Sequence, residues 1–214
     1  MVWTKSKPIL WEVDVQVDFM LPGGKLYVPG AEKLIPNIQR LVNAVRENSA
    51  FLISSGDQHP PEDPEFKVFP PHCIRLTSGA EVIPEGLAQR ICTVPNDPKF
   101  QLPKNLLDYQ QIFIEKQTLD VFENPQTARI LERISPDAEF LVFGVVTEYC
   151  VRCAAKGLLA RGRRVSLILD AIQQLDPSAG SKTIAELTSE GAKLITTVEA
   201  LEGLNSQNAS AQVP

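Results

Sequence analysis

Histidine is nearly absent from this 214-residue chain, which has only His59 and His72. Any metal site can therefore draw on at most two imidazoles, and carboxylates or thiolates must complete it. Cysteine is scarce as well, limited to Cys73, Cys92, Cys150 and Cys153. There is no excess of basic charge: 21 Lys and Arg face 26 Asp and Glu, a formal net charge of −5. A chain that must neutralise phosphates needs the opposite balance, so no nucleic-acid partner is expected. No run of eighteen apolar residues occurs, which argues against a transmembrane helix and a membrane partner. The opening MVWTKSKPILWEVD soon meets Glu12 and Asp14 and lacks the apolar region and cleavage site of a signal peptide. A cytoplasmic location with four free thiols is the simplest expectation.

What the chain does have is an apolar share of 43%, enough for a core without disulfide or metal staples. Apolar runs alternate with amphipathic stretches. Strands are expected at 8–14, 51–54, 111–115, 139–146, 164–169 and 193–197. Residues 139–146 (EFLVFGVV) have the nearly continuous apolar run of a strand buried on both faces. Helices are expected at 31–48, 125–133, 150–161 and 181–190. The first carries Leu34, Ile35, Ile38, Leu41, Val42 and Val45 on one face. The alternation indicates an α/β fold, a single-domain doubly wound sheet of six parallel strands with helices on both faces. The domain is expected over 1–205, followed by a polar, disordered tail at 206–214. Residues 56–110 are rich in proline and poor in periodicity, and irregular chain on that scale is usually functional.

Ligands of such sheets sit beyond the carboxyl ends of the strands. That rule nominates Asp14, Asp57 with His59, Lys116, Cys150 and Asp170. Cys150 lies where a buried strand meets a helix, so the helix dipole is expected to lower its pKa and favour a nucleophilic thiolate. The bland alternative is a buried small hydrophobe. Cys150 and Cys153 also form a CxxC, which leaves a dithiol redox site open. Both histidines fall within fourteen residues of each other in the irregular region. Together with Asp57, and with Glu62 or Glu65 between them, they suit a transition metal such as zinc, manganese or iron. Asp14 and Lys116 beside a thiol suit acid–base work, with a sheet-edge salt bridge as the plain alternative.

Five segments in order resemble the isochorismatase-like cysteine hydrolase family, and within it the nicotinamidases. They are Asp14-Val-Gln-Val-Asp18-Phe19 with Pro22 to Ala31, Asp57-Gln-His59 with Phe69-Pro-Pro-His72-Cys73, Ser78-Gly-Ala-Glu81, Glu115-Lys116, and Gly144-Val-Val-Thr-Glu-Tyr-Cys150. The resemblance covers most of residues 8–200. It implies that Cys150 is the nucleophile, Asp14 the general base and Lys116 the cation that stabilises the thiolate. It implies a cis peptide at Val145–Val146, which aims the Val146 and Cys150 N–H groups at an oxyanion. Asp57, His59 and His72 would hold one divalent metal, zinc first, with iron or manganese as alternatives, and Glu65 is chosen over Glu62 as the fourth ligand. Phe19, Phe69 and Tyr149 would line the pocket for a small amide, nicotinamide, cleaved to nicotinate and ammonia through a thioester. A related cysteine amidase acting on an N-carbamoyl or ureidoacrylate compound is the nearest alternative, and homo-oligomerisation stays open. Val17, Val146 and Glu148 depart from residues common at those positions, which bears on pocket shape.

Overall fold

The computed structural model describes residues 8–210. Its centre is β1 (Ile9–Val13), in which all five residues are buried. Around it lie β2 (Phe51–Asp57), β3 (Ile91–Val94), β4 (Gln111–Lys116), β5 (Glu139–Val145), β6 (Arg164–Gln173) and β7 (Lys193–Ile195). They form one parallel sheet in the order β3-β4-β2-β1-β5-β6-β7. Seven strands therefore replace the six expected. The extra one, β3, has four residues, occupies an edge and lies between Pro84 and Pro95, so its pattern is too short to stand out from irregular chain.

Side chains of β1 alternate between two apolar layers, as a period of two requires. Ile9, Trp11 and Val13 join one core with Ile130 and Leu131 of α3 (Pro125–Leu131), Ala154 and Leu158 of α4 (Arg152–Leu159), and Leu187 of α5 (Pro177–Ser189). Leu10 joins the other with Phe19 of α1 (Val17–Met20), the Ile38, Leu41, Val42 and Val45 stripe of α2 (Ile35–Arg46), and Ala200 of α6 (Thr197–Ser210). Burying each of those four α2 side chains contributes about 1.5–3 kcal/mol. Helices thus cover both faces of the sheet.

The register of β6 against β5 slips between Val142 and Gly144. Leu169 and Asp170 sit exposed in that irregularity, and β6 continues to Gln173, beyond the expected end at 169. The backbone of α6 runs to Ser210, across the first five residues of the expected tail. Residues 211–214 of that tail lie outside the described residues. Among the described residues no helix is long and apolar enough to cross a membrane.

Candidate active site

Parallel strands align their carboxyl ends, so the residues that end β1, β2, β4 and β5 meet at one edge of the sheet. β1 is flanked by β2 on one side and β5 on the other, and this reversal of strand order opens a crevice at the strand ends. The last ladder bond from β1 is Asp14 N–H to the Ser55 carbonyl at 2.9 Å. Asp14 then adopts φ +52°, a left-handed conformation that aspartate tolerates better than most residues. This turn separates the Asp14 carboxyl from the ladder. Gly144 of β5 has φ +115°, and a Cβ there would lie 2.0 Å from the Val13 carbonyl oxygen. Only glycine allows β5 to pass so close to the end of β1. Beyond it come the cis Val145–Val146 bond and a π-helical turn, Thr147–Val151, that carries Cys150.

Lys116 ends β4 directly beside Asp57 of β2 in the register. Its side chain is 1% exposed. Nζ contacts Asp57 Oδ1, Asp14 Oδ2 at 2.9 Å and Cys150 Sγ at 3.5 Å. The ammonium donates hydrogen bonds to Asp57 and Cys150 and forms an ion pair with Asp14. The Cys150 sulfur and the Asp14 carboxyl meet on the same Lys116 Nζ.

Burial and charge act against each other in this cluster. Burial pushes Asp14 up, Lys116 pulls it back and the Asp57 charge adds to the rise, leaving it at about 6 instead of 3.8. Burial also opposes ionisation of Asp57, but Lys116 and the two imidazoles outweigh it and hold Asp57 well below the usual carboxylate range. Burial disfavours the Lys116 cation, yet the two carboxylates hold its pKa well above the ordinary value. Cys150 differs from the expectation of a lowered pKa. Burial and the Asp14 charge push its thiol well up, and Lys116 only partly offsets them. A turn of helix contributes less than these direct effects.

The two histidines meet because His59 donates its N–H to the Cys73 carbonyl at 3.1 Å and its own carbonyl accepts the Arg75 N–H at 2.9 Å. His72 is thereby placed next to His59, with ring centroids 4.9 Å apart. Nε2 of each ring lies 3.6 Å from Asp57 Oδ2. Asp57, His59 and His72 form one buried donor set of the composition that zinc and other borderline divalent ions accept. Glu65 falls in a second set, with His59 and Asp63. Glu65 is half-buried and lines the cavity, whereas Glu62 is exposed.

Sequence reasoning missed two residues that position this site. Gln16 is fully buried; its amide donates to the carbonyls of Asp57 and Ala80 at 2.8 Å each, and its oxygen accepts the Asp57 N–H at 2.7 Å. It replaces the strand partner that Asp57 loses where β1 diverges, a role with no local sequence signal. Asp63 lies 3.0 Å from His59 Nδ1 and caps a short turn over Pro64–Lys67. Its Asp-Pro pair is the available signal. Asp18 accepts the N–H groups of Lys25 and Cys73 and so joins the loop after α1 to the His72 segment.

A cavity of about 120 Å³ opens above Cys150, Asp57 and His72. Phe19, Phe69, Val146 and Tyr149 line it, and Leu26, Val28, Leu119 and Leu175 complete a mostly apolar wall. Phe19 stands edge-on to His72 at 5.3 Å. Leu175 is held by its N–H donating to Glu148 Oε1 at 3.0 Å. Two nominated residues lie elsewhere. Asp170 caps the start of α6 through Thr197, and Cys153 lines a separate outer groove with Asp120, Arg152 and Lys156. The CxxC thiols thus face different cavities, which speaks against a shared dithiol site.

Comparison with known proteins adds four findings. Residues 9–199 match the model of the Isochorismatase domain. The chain is 25% identical to the nicotinamidase of Escherichia coli (strain K12), over 86% of this chain and 92% of that one. It is 23% identical to the nicotinamidase of Saccharomyces cerevisiae, over 86% and 96%. Among solved structures it resembles the pyrazinamidase of Pyrococcus horikoshii in complex with zinc, at TM-score 0.70 and 28% identity, covering 89% of this chain and 99% of that one.

Proposed function

We propose, for a chain that belongs to the isochorismatase family, that it is an amidohydrolase that converts nicotinamide to nicotinate and ammonia. The observation that carries this reading is the single buried contact set of Lys116 with Cys150, Asp14 and Asp57, one residue of which also belongs to the His59 and His72 donor set. The nicotinamidase relatives supply the substrate class.

Asp14 takes the proton of Cys150 as sulfur attacks the carboxamide carbon. A thiol held well above its ordinary pKa needs such a base at the moment of attack. Lys116 keeps positive charge beside the sulfur throughout. The oxyanion forms against the N–H groups of Val146 and Cys150. Asp14 returns the proton to the nitrogen, the C–N bond breaks, ammonia leaves and a thioester remains. Asp14 then takes a proton from water, the hydroxyl adds to the thioester carbonyl, the C–S bond breaks and the proton returns to sulfur. Phe19 and Phe69 flank the flat ring, and the apolar wall excludes bulk water. Asp57, His59 and His72 would hold a divalent metal, zinc first, which when bound supplies a Lewis-acid contact to the ring nitrogen.

Ammonia release from nicotinamide, followed with and without a chelator, tests the reading. Wild-type turnover that is lost in Cys150→Ala and in the chelated enzyme is the expected result. Turnover retained by Cys150→Ala would sink the mechanism. A stronger preference for an N-carbamoyl compound would replace the substrate.

A further inference from the structure

We propose that Asp63 is the positioning carboxylate of the metal site, fixing the ring of His59 so that Nε2 faces Asp57; this rests on the metal site put forward above. His59 has no solvent-exposed surface, so its orientation is set by the protein groups at its two nitrogens. At one edge, Nε2 lies 3.6 Å from Asp57 Oδ2. At the other, Nδ1 lies 3.0 Å from Asp63 Oδ2. The second oxygen of Asp63 is engaged too, accepting the Glu65 N–H at 2.9 Å. One carboxylate therefore joins the imidazole to the turn that carries Glu65 and Phe66, and Phe66 packs against His59 at 5.3 Å between ring centroids.

His72 is held in a parallel way. Its Nδ1 lies 2.7 Å from the Pro70 carbonyl oxygen, and its Nε2 faces the same Asp57 oxygen at 3.6 Å. A neutral imidazole carries one N–H and one lone pair. The carboxylate oxygen 3.0 Å from His59 Nδ1 and the carbonyl oxygen 2.7 Å from His72 Nδ1 favour the tautomer with the proton on Nδ1, which leaves both Nε2 lone pairs on the side of Asp57. Outer carboxylates of this kind orient histidine ligands and raise their basicity.

His59, Asp63 and Glu65 also form a donor set of their own, with Asp63 at the Nδ1 edge of the ring. A ring protonated on Nδ1 has no lone pair to offer at that edge. The set with two imidazoles and the buried Asp57 is thus the one that binds, and Asp63 supports it from outside.

Zinc affinity, measured by competition with a chromophoric chelator, tests this on the whole protein. Asp63→Asn keeps an oxygen to cap the turn but loses the charge. It is expected to weaken zinc binding about 10- to 100-fold and to leave the melting temperature of the metal-free protein unchanged. Asp63→Ala should weaken it at least as much. Zinc binding within twofold of wild type in both variants overturns the inference. So does abolition of binding in both Asp63→Asn and Glu65→Gln with retention in Asp57→Asn, which would put the metal on the other edge. A wild-type protein that binds neither zinc nor cobalt overturns the metal site itself, a result distinct from the other two.

Discussion

Lys116 donates to the sulfur of Cys150 across 3.5 Å, and both side chains are buried. The same ammonium balances Asp14 and Asp57, so three groups depend on one charge. Lys116→Met would leave the buried Asp14 carboxylate without a counter-ion and take one cation away from Asp57. Losing one partner of a buried pair typically costs about 3–5 kcal/mol, and the melting temperature should fall accordingly. Activity should fall by about 100-fold or more, since one lost electrostatic contact to a reacting group is worth that much. Alkylation of Cys150 by iodoacetamide separates chemistry from folding. Its rate should drop in folded Lys116→Met at low temperature, and an unchanged rate would show that Lys116 only maintains structure.

The pH dependence of activity follows from Asp14. As the base it must be ionised, and its carboxyl is pushed up to about 6 by burial, against the pull of Lys116. The acid limb of kcat/KM for nicotinamide should therefore bend near pH 6, with activity at pH 5 about tenfold below the plateau. That apparent value belongs to the coupled group of Asp14, Lys116 and Cys150. An acid limb at pH 4 would mean that Asp14 is not the limiting base. Asp14→Asn should abolish turnover at every pH.

Legibility in the sequence followed how local each cause was. β5 could be read because a strand buried on both faces shows as a nearly continuous apolar run, and β1 because its run is broken only by Glu12. The edge strand β3 could not, because four residues among prolines carry too little pattern. Asp14, Asp57, Lys116 and Cys150 could be placed together because the topology of a parallel sheet delivers strand ends to one edge. The direction of the Cys150 shift could not, because burial and the charge of Asp14 depend on what packs around the sulfur. Gln16 was silent for the same reason: it holds Asp57, forty-one residues away, and nothing beside it marks that contact.

Glu12 gives a stability prediction of the less usual sign. It is 1% exposed in the middle of β1, and among the described residues neither carboxyl oxygen has a hydrogen-bond partner. Burial, with the charge of Asp14 added, raises its pKa well above the ordinary 4.5. The native state therefore keeps a proton that the unfolded chain releases above about pH 4.5. Stability from the protonated form is fully present below that value and declines as pH rises toward the native pKa, at up to ~1.4 kcal/mol per pH unit. Glu12→Gln has the same shape and no proton to lose. Urea midpoints should match wild type near pH 4 and exceed it increasingly toward pH 8. Curves that stay parallel from pH 4 to 8 would show that Glu12 ionises in the fold as readily as in the unfolded chain.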